Sequence, residues 1–171
     1  MALAAWALVP DGIVTACIAL TAAVAQGARL SRWRGWETIE EPLLVVLHIA
    51  YAFLPLGLVG VAMSAMGWLS APSVLHVMTV GAIGNMTLAV MTRASRAHTG
   101  RPPRASTTTA LIYFAILVAA IIRPFAEVLP EYYHLILGIS GVCWILAYSG
   151  FVAEYAPMLL TPTLNAKSVK T

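Results

Sequence analysis

From Pro42 to Thr92 the chain carries no Asp, Glu, Lys or Arg. A soluble fold has little room for such a stretch, because soluble domains hold roughly 25% charged residues. Over the whole chain charged residues are 10% and hydrophobic residues 60%, with a mean hydropathy of +0.85. Lipid, not water, is therefore the solvent for most of these side chains. About 20 apolar residues of helix cross the hydrocarbon core of a bilayer. Five segments reach or approach that length: 12–28, 42–66, 73–93, 108–125 and 134–155. The expected fold is all-α, a polytopic bundle of five transmembrane helices forming a single transmembrane domain over 1–171.

The breaks between these segments carry helix punctuation. Glu40-Glu41-Pro42 opens the second span, with acid near the positive helix start and proline at an early position. Ala71-Pro72-Ser73 and Arg101-Pro102-Pro103-Arg104 separate the next spans, Pro130 precedes the fifth, and Pro157 and Pro162 are expected to end it. The start MALAAWALVPDG has no basic n-region and is interrupted by Asp11, so a first span that begins near Gly12 and is retained is expected over a cleavable signal. The tail NAKSVKT reads as polar and mobile. Cys17 and Cys143 both fall inside apolar runs and read as small buried hydrophobes, not a disulfide pair.

Five spans place the two termini on opposite sides. The C-terminal side receives Arg29, Arg32, Arg34, Arg93, Arg96, Arg101, Arg104, Lys167 and Lys170; the N-terminal side receives only Arg123. That asymmetry places the C-terminus in the cytoplasm and the N-terminus outside, in the periplasm of a Gram-negative cell. It also accounts for the net charge of +3 without a nucleic-acid partner, and the partner implied is the lipid membrane.

This topology sorts the four histidines into two pairs. His76 and His134 begin the third and fifth spans on the outer side; His48 and His98 lie toward the inner side, His98 just past the end of its span. From His76 to His98 is ~33 Å of helix, about the hydrocarbon thickness. Ionisable groups at membrane depth are costly and default to functional. The outer pair suits haem iron, which takes axial imidazoles from two sides. Gly138 and Gly141 share a helical face with His134 and leave room for a flat macrocycle, and Arg123 stands at the depth to neutralise a propionate. The competing readings are that the glycines only allow close helix packing, that the histidines meet headgroup water, and that Glu127 pairs with Arg123.

On the inner side, His48 shares a face with Tyr51, Pro55, Met63 and Met66, and a kink is expected at Pro55. His98 sits among Arg93, Arg96 and Arg101, a cluster suited to haem propionates, an anionic lipid headgroup or a quinone. A His48–His98 metal site, with copper as a candidate ion, stands against plain positive-inside anchoring by the arginines. Met63 and Met66 lie toward the other face, too far to join it. Asn85, at mid-membrane, is expected to face away from His76 and to hydrogen-bond a neighbouring helix. Trp33, Trp36, Trp68, Tyr132 and Tyr133 read as an interfacial aromatic belt, and the scattered methionines as packing. No phosphate loop, zinc-spaced cysteine pair or nucleophile elbow occurs.

The segment HVMTVGAIGNMTLAVMTRASRAHTGR at 76–101 closely resembles the signature of the NnrS family of bacterial membrane proteins. The likeness extends to LHIAYAFLPLGL at 47–58, to the span from Tyr113 to Arg123, and to Tyr155-Ala156-Pro157. The resemblance implies an inner-membrane protein with haem b and, beside it, copper, linked to denitrification and nitric oxide stress. It also implies about twelve spans in the usual members, of which this chain resembles the C-terminal portion. Three departures stand out: the absent N-terminal spans, Arg96-Ala97 where the family has Leu-Gly, and Thr161-Pro162-Thr163 at the end. Carry-over by motif covers His48, His76, Arg93, His98 and Arg101, whereas His134 and Arg123 rest on the depth argument.

The function expected is an NnrS-like haem protein that binds or senses nitric oxide or passes electrons. The alternative is a small accessory subunit of a larger membrane respiratory complex, with a homo-oligomer as a further expectation. A transporter is disfavoured because five spans hold no inverted repeat. No proton path through the membrane centre is legible, and no turnover is assigned.

Overall fold

The computed structural model describes residues 1–38 and 41–161, and every regular element among them is helical. A short helix α1 (Ala2–Leu8) precedes five membrane-length helices. These are α2 (Ile13–Ser31), α3 (Pro42–Ala65), α4 (Ala71–His98), α5 (Thr107–Ala126) and α6 (Pro130–Leu160). Side-chain caps set their starts. The Glu41 carboxylate accepts from the Leu43 N–H at the head of α3, Ser70 Oγ accepts from the Ser73 N–H at α4, and Ser106 Oγ accepts from the Thr109 N–H at α5. Two glycines set the stops. Gly67 (φ 75°) and Gly100 (φ 68°) lie just past α3 and α4 in the left-handed region that glycine adopts without penalty. In each case the next N–H folds back, Trp68 to the Met63 carbonyl and Arg101 to the Arg96 carbonyl, both at 2.9 Å, which is the Schellman closure.

Small residues bring the helices together, as expected where lipid removes the hydrophobic drive between them. Ala16, Ala19 and Ala23 of α2 are buried with Leu58, Val61, Ala62 and Ala65 of α3. Gly57 and Gly60 of α3 sit against Met78 and Val74 of α4, and Gly81 of α4 sits against Phe53 of α3. The second half of α4, with Leu88 and Ala89 fully buried, packs among α3, α5 and α6. Tyr148 of α6 donates to the Gly84 carbonyl at 3.3 Å, and Ser140 donates to the Ala119 carbonyl at 3.2 Å.

Several expectations shift. The helices outrun the apolar runs: α2 continues to Ser31, and α4 continues to His98, which belongs to its last turn and not to the loop beyond. Backbone hydrogen bonding is local and continues past the point where hydropathy falls, and long cationic side chains reach the interface from there. Pro157 does not end α6, which runs one further turn to Leu160; proline there removes a single hydrogen bond near the exposed helix end. Pro55, where a kink was expected, lies inside α3. Cys17 is exposed and Cys143 partly so, both unpaired, so they face outward instead of filling the core. Trp33, Trp68 and Tyr132 are exposed at helix ends, as a belt requires. Glu40, the side chain of Trp36, Lys167, Lys170 and the tail from 162 lie outside the described residues.

The largest departure is inside α4. Residues Val77–Gly84 form a π-helix, with Asn85 resuming the α-helix. The wider i→i+5 ladder makes fewer turns over the same residues, so faces counted at 3.6 per turn do not carry across it. Asn85 bonds its own helix: Nδ2 donates to the Val80 and Gly81 carbonyls at 3.2 and 2.9 Å. The amide thus bonds carbonyls of its own helix in place of a neighbouring one.

Candidate functional site

At the end of the bundle opposite the arginine-rich loops, Ser73 in the first turn of α4 donates to the Pro124 carbonyl at 2.9 Å. This bond fastens α4 to the 3-10 turn Arg123–Ala126 that closes α5. His76 is one turn on from Ser73. Its Nδ1 lies 2.6 Å from the Pro72 carbonyl. A carbonyl can only accept, so Nδ1 carries the proton and Nε2 presents its lone pair. A ring oriented through Nδ1–H onto a carbonyl is the usual outer support of a metal-binding histidine. On the same turn as Pro124, Arg123 holds a buried Nη1 without a hydrogen-bond partner. A buried guanidinium nitrogen left unpaired is unfavourable and calls for an anion or acceptor.

The turn Arg123–Ala126 also packs on the start of α6, where His134 lies. His134 is exposed and edge-on to the Tyr133 ring, with centroids 5.4 Å apart. It lines a shallow apolar groove with Gly138, Ile139 and Val142 on the outward side of α6. Nothing lies within 4 Å of a Cβ placed at Gly138 or Gly141, so this face is open instead of packed on a neighbouring helix. Thus His76 and Arg123 share one neighbourhood through the Ser73–Pro124 bond, while His134 faces outward from α6.

At the arginine-rich end, His48 repeats the arrangement of His76. Its Nδ1 lies 2.8 Å from the Leu44 carbonyl one turn back, which again fixes the proton on Nδ1 and leaves Nε2 as the donor atom. The ring is half-buried and edge-on to Trp33 at 5.8 Å. Gly35 lies so close that a Cβ there would stand 2.7 Å from His48 Cδ2. Tyr51, one turn on, meets the Trp33 ring at 4.5 Å, donates its hydroxyl to Gln26 and lies 6.0 Å from the Arg29 guanidinium. His98 and Arg93 are exposed on α4, and Arg101 reaches the Met158 carbonyl at 3.4 Å. The groups that meet His48, Trp33 and Gly35, follow α2 in the chain, while the α2 residues Gln26 and Arg29 meet Tyr51. Among the described residues no three His, Cys, Asp or Glu side chains converge.

One polar cluster had no counterpart in the sequence reading. The Glu154 carboxylate of α6 accepts from Ser106 Oγ at 2.5 Å and from Thr109 Oγ1 at 3.0 and 3.1 Å. Thr109 also pairs with the buried Tyr155 hydroxyl at 2.7 Å, and Tyr113 pairs with Thr92 across α5 and α4. Ser106 lies forty-eight positions from its partner Glu154, a separation across which no local pattern connects them.

A protein-family model described as NnrS protein matches residues 1–163. No curated protein and no solved structure matches the chain.

Proposed function

The chain belongs to the NnrS protein family, and on that premise we propose that it is a multi-pass membrane haem protein that binds nitric oxide or relays electrons. The observation that carries the reading is at the Arg123 end. A histidine with Nδ1 committed to a carbonyl lies one turn from Ser73, which bonds the turn that carries a buried, unpaired guanidinium nitrogen. The first is a haem-iron ligand by its chemistry and the second a propionate partner. His134, on an open face with Gly138 and Gly141, is the second histidine that would hold the group. Neither Cys17 nor Cys143 sits in the C-x-x-C-H pattern of covalent attachment, which favours haem b. When bound, the iron would supply reversible ligation of a small diatomic molecule and one-electron chemistry.

His48 is the best candidate for copper, because its Nε2 is presented in the same way. His98, Arg93 and Arg101 are the proposed anionic-ligand or second-metal residues of that end. The arginines at the ends of α2 and α4 and before α5 favour a cytoplasmic C-terminus and, for a bacterium, the inner membrane. A second reading, an accessory subunit of a respiratory complex, draws on the same open α6 face, which would then receive a neighbouring subunit.

The test is an absorption spectrum with iron and copper analysis on protein made with haem supply. A Soret band lost in both His76→Ala and His134→Ala is expected. Absence of haem from the wild-type protein would sink the reading. Loss only in His48→Ala or His98→Ala would transfer haem to the other end.

A further inference from the structure

At the arginine-rich end, between the head of α3 and the residues before α5, lies a cavity of about 450 Å³ bounded by Glu41, Pro42, Arg104 and Ala105. Small-molecule sites have volumes of about 300–1,000 Å³. Glu41 and Arg104 put opposite charges on this one cavity, yet they do not pair; the ion pair among the described residues joins Arg34 to Glu37. Glu41 is half-buried and held in place, because its Oε1 accepts from the Leu43 N–H. Arg104 is exposed. The apolar spans begin at Pro42 and Thr107, so both charges stand just outside them, at headgroup depth.

Pro42 also borders a second, apolar hollow, which continues along Val45 and Ile49 of α3 and along Ala110, Phe114 and Leu117 of α5. Helices α3 and α5 each pack on α4, which leaves this hollow between them. Ala110 and Phe114 are exposed on the outside of the bundle, so the hollow faces the acyl chains of the bilayer. A charged end and an apolar end thus follow one another along the same two helices, the layout of a phospholipid standing in its leaflet.

The two charges select the head. A guanidinium matches the phosphate that all phospholipids carry. A carboxylate repels a head with net negative charge, such as phosphatidylglycerol, and accepts N–H bonds from an ammonium. The quaternary ammonium of phosphatidylcholine has no N–H to donate. We infer that this is a site for one molecule of phosphatidylethanolamine, with Arg104 on its phosphate, Glu41 on its ammonium and an acyl chain in the hollow between α3 and α5. The inference needs the membrane-spanning helices alone and is independent of the haem reading.

The experiment uses the full chain in mild detergent and measures, by native mass spectrometry, the binding of phosphatidylethanolamine, phosphatidylcholine and phosphatidylglycerol with identical acyl chains. The first phosphatidylethanolamine should bind about five- to tenfold more tightly than either of the others, the effect of one partly exposed charge-assisted hydrogen bond. Glu41→Gln should abolish that preference, and Arg104→Gln should weaken all three lipids. Ala110→Phe, which fills the hollow away from both charges, should also weaken all three. Glu37→Gln, an exposed carboxylate on the same side, should leave the preference intact. O-Phosphoethanolamine, the soluble head alone, should not displace the lipid at equal concentration. Circular dichroism checks that each variant keeps its helices; if Glu41→Gln does not fold, the wild-type preference and its response to Arg104→Gln decide the matter. Equal binding of the three lipids, a preference that survives in folded Glu41→Gln, an equal loss in Glu37→Gln, or displacement by O-phosphoethanolamine overturns the inference.

Discussion

Replacing Gly81 by Ala would put a methyl carbon 2.3 Å from Cδ1 of Phe53, 2.7 Å from its Cγ and 3.0 Å from its Cε1. Carbon atoms pack best at about 3.5–4.0 Å, so the ring must retreat by roughly 1 Å or more. The closest atoms lie near the stem of the side chain, where rotation about χ2 gives little relief. The retreat therefore has to come from χ1 or from the α3 backbone. Forcing one methyl group into a packed interface costs about 1–3 kcal/mol. Alanine also returns up to about 1 kcal/mol over glycine in a helix, less across a π segment. The net expectation is a loss of ~1–2 kcal/mol for Gly81→Ala. Gly138→Ala is the matched control, because nothing lies within 4 Å of the added carbon and only the helix-forming gain remains. Unfolding of both variants in mixed micelles, followed by circular dichroism against denaturing detergent, measures the difference. Gly81→Ala as stable as Gly138→Ala would refute the close α3–α4 contact.

Two further outcomes follow from the polar groups. Glu154→Ala removes the acceptor shared by Ser106 and Thr109 and should lower stability by about 2–3 kcal/mol, with Glu154→Gln losing less because one oxygen remains; equal melting temperatures for Glu154→Ala and wild type in the same micelles would contradict the network. Arg123→Met removes an unpaired buried nitrogen, so in protein prepared without haem it should be no less stable than wild type, yet it should retain less haem when haem is supplied; a destabilised haem-free variant would mean that Arg123 already has a partner.

The membrane architecture was legible because its signals are local. A span needs only length and hydropathy, and a break needs only a few helix-stopping residues, so the Pro-containing breaks announce themselves locally. The candidate histidines were legible for the same reason: their depth follows from their place within a span. The hydrogen bonding of their rings was not. The sequence does not say that Nδ1 of His48 and His76 would each turn back onto a carbonyl one helical turn earlier, since that depends on the rotamer that the packing allows.

Asn85 shows the boundary between the two kinds of information most clearly. Periodicity at 3.6 residues per turn set it on the face away from His76 with a bond to another helix. The π-helix Val77–Gly84 cancels that count, and Asn85 closes onto its own chain. Whether a helix widens in this way depends on what presses on it. Here Phe53 meets Gly81 and Met78 meets Gly57, contacts between residues more than twenty positions apart. The sequence alone determined that five helices cross a membrane and at what depth each polar residue sits, because hydropathy acts residue by residue. Which of those polar groups meet, and which remain unsatisfied at Arg123 and Asn85, was decided only by tertiary packing, because close contact between helices is a property of pairs.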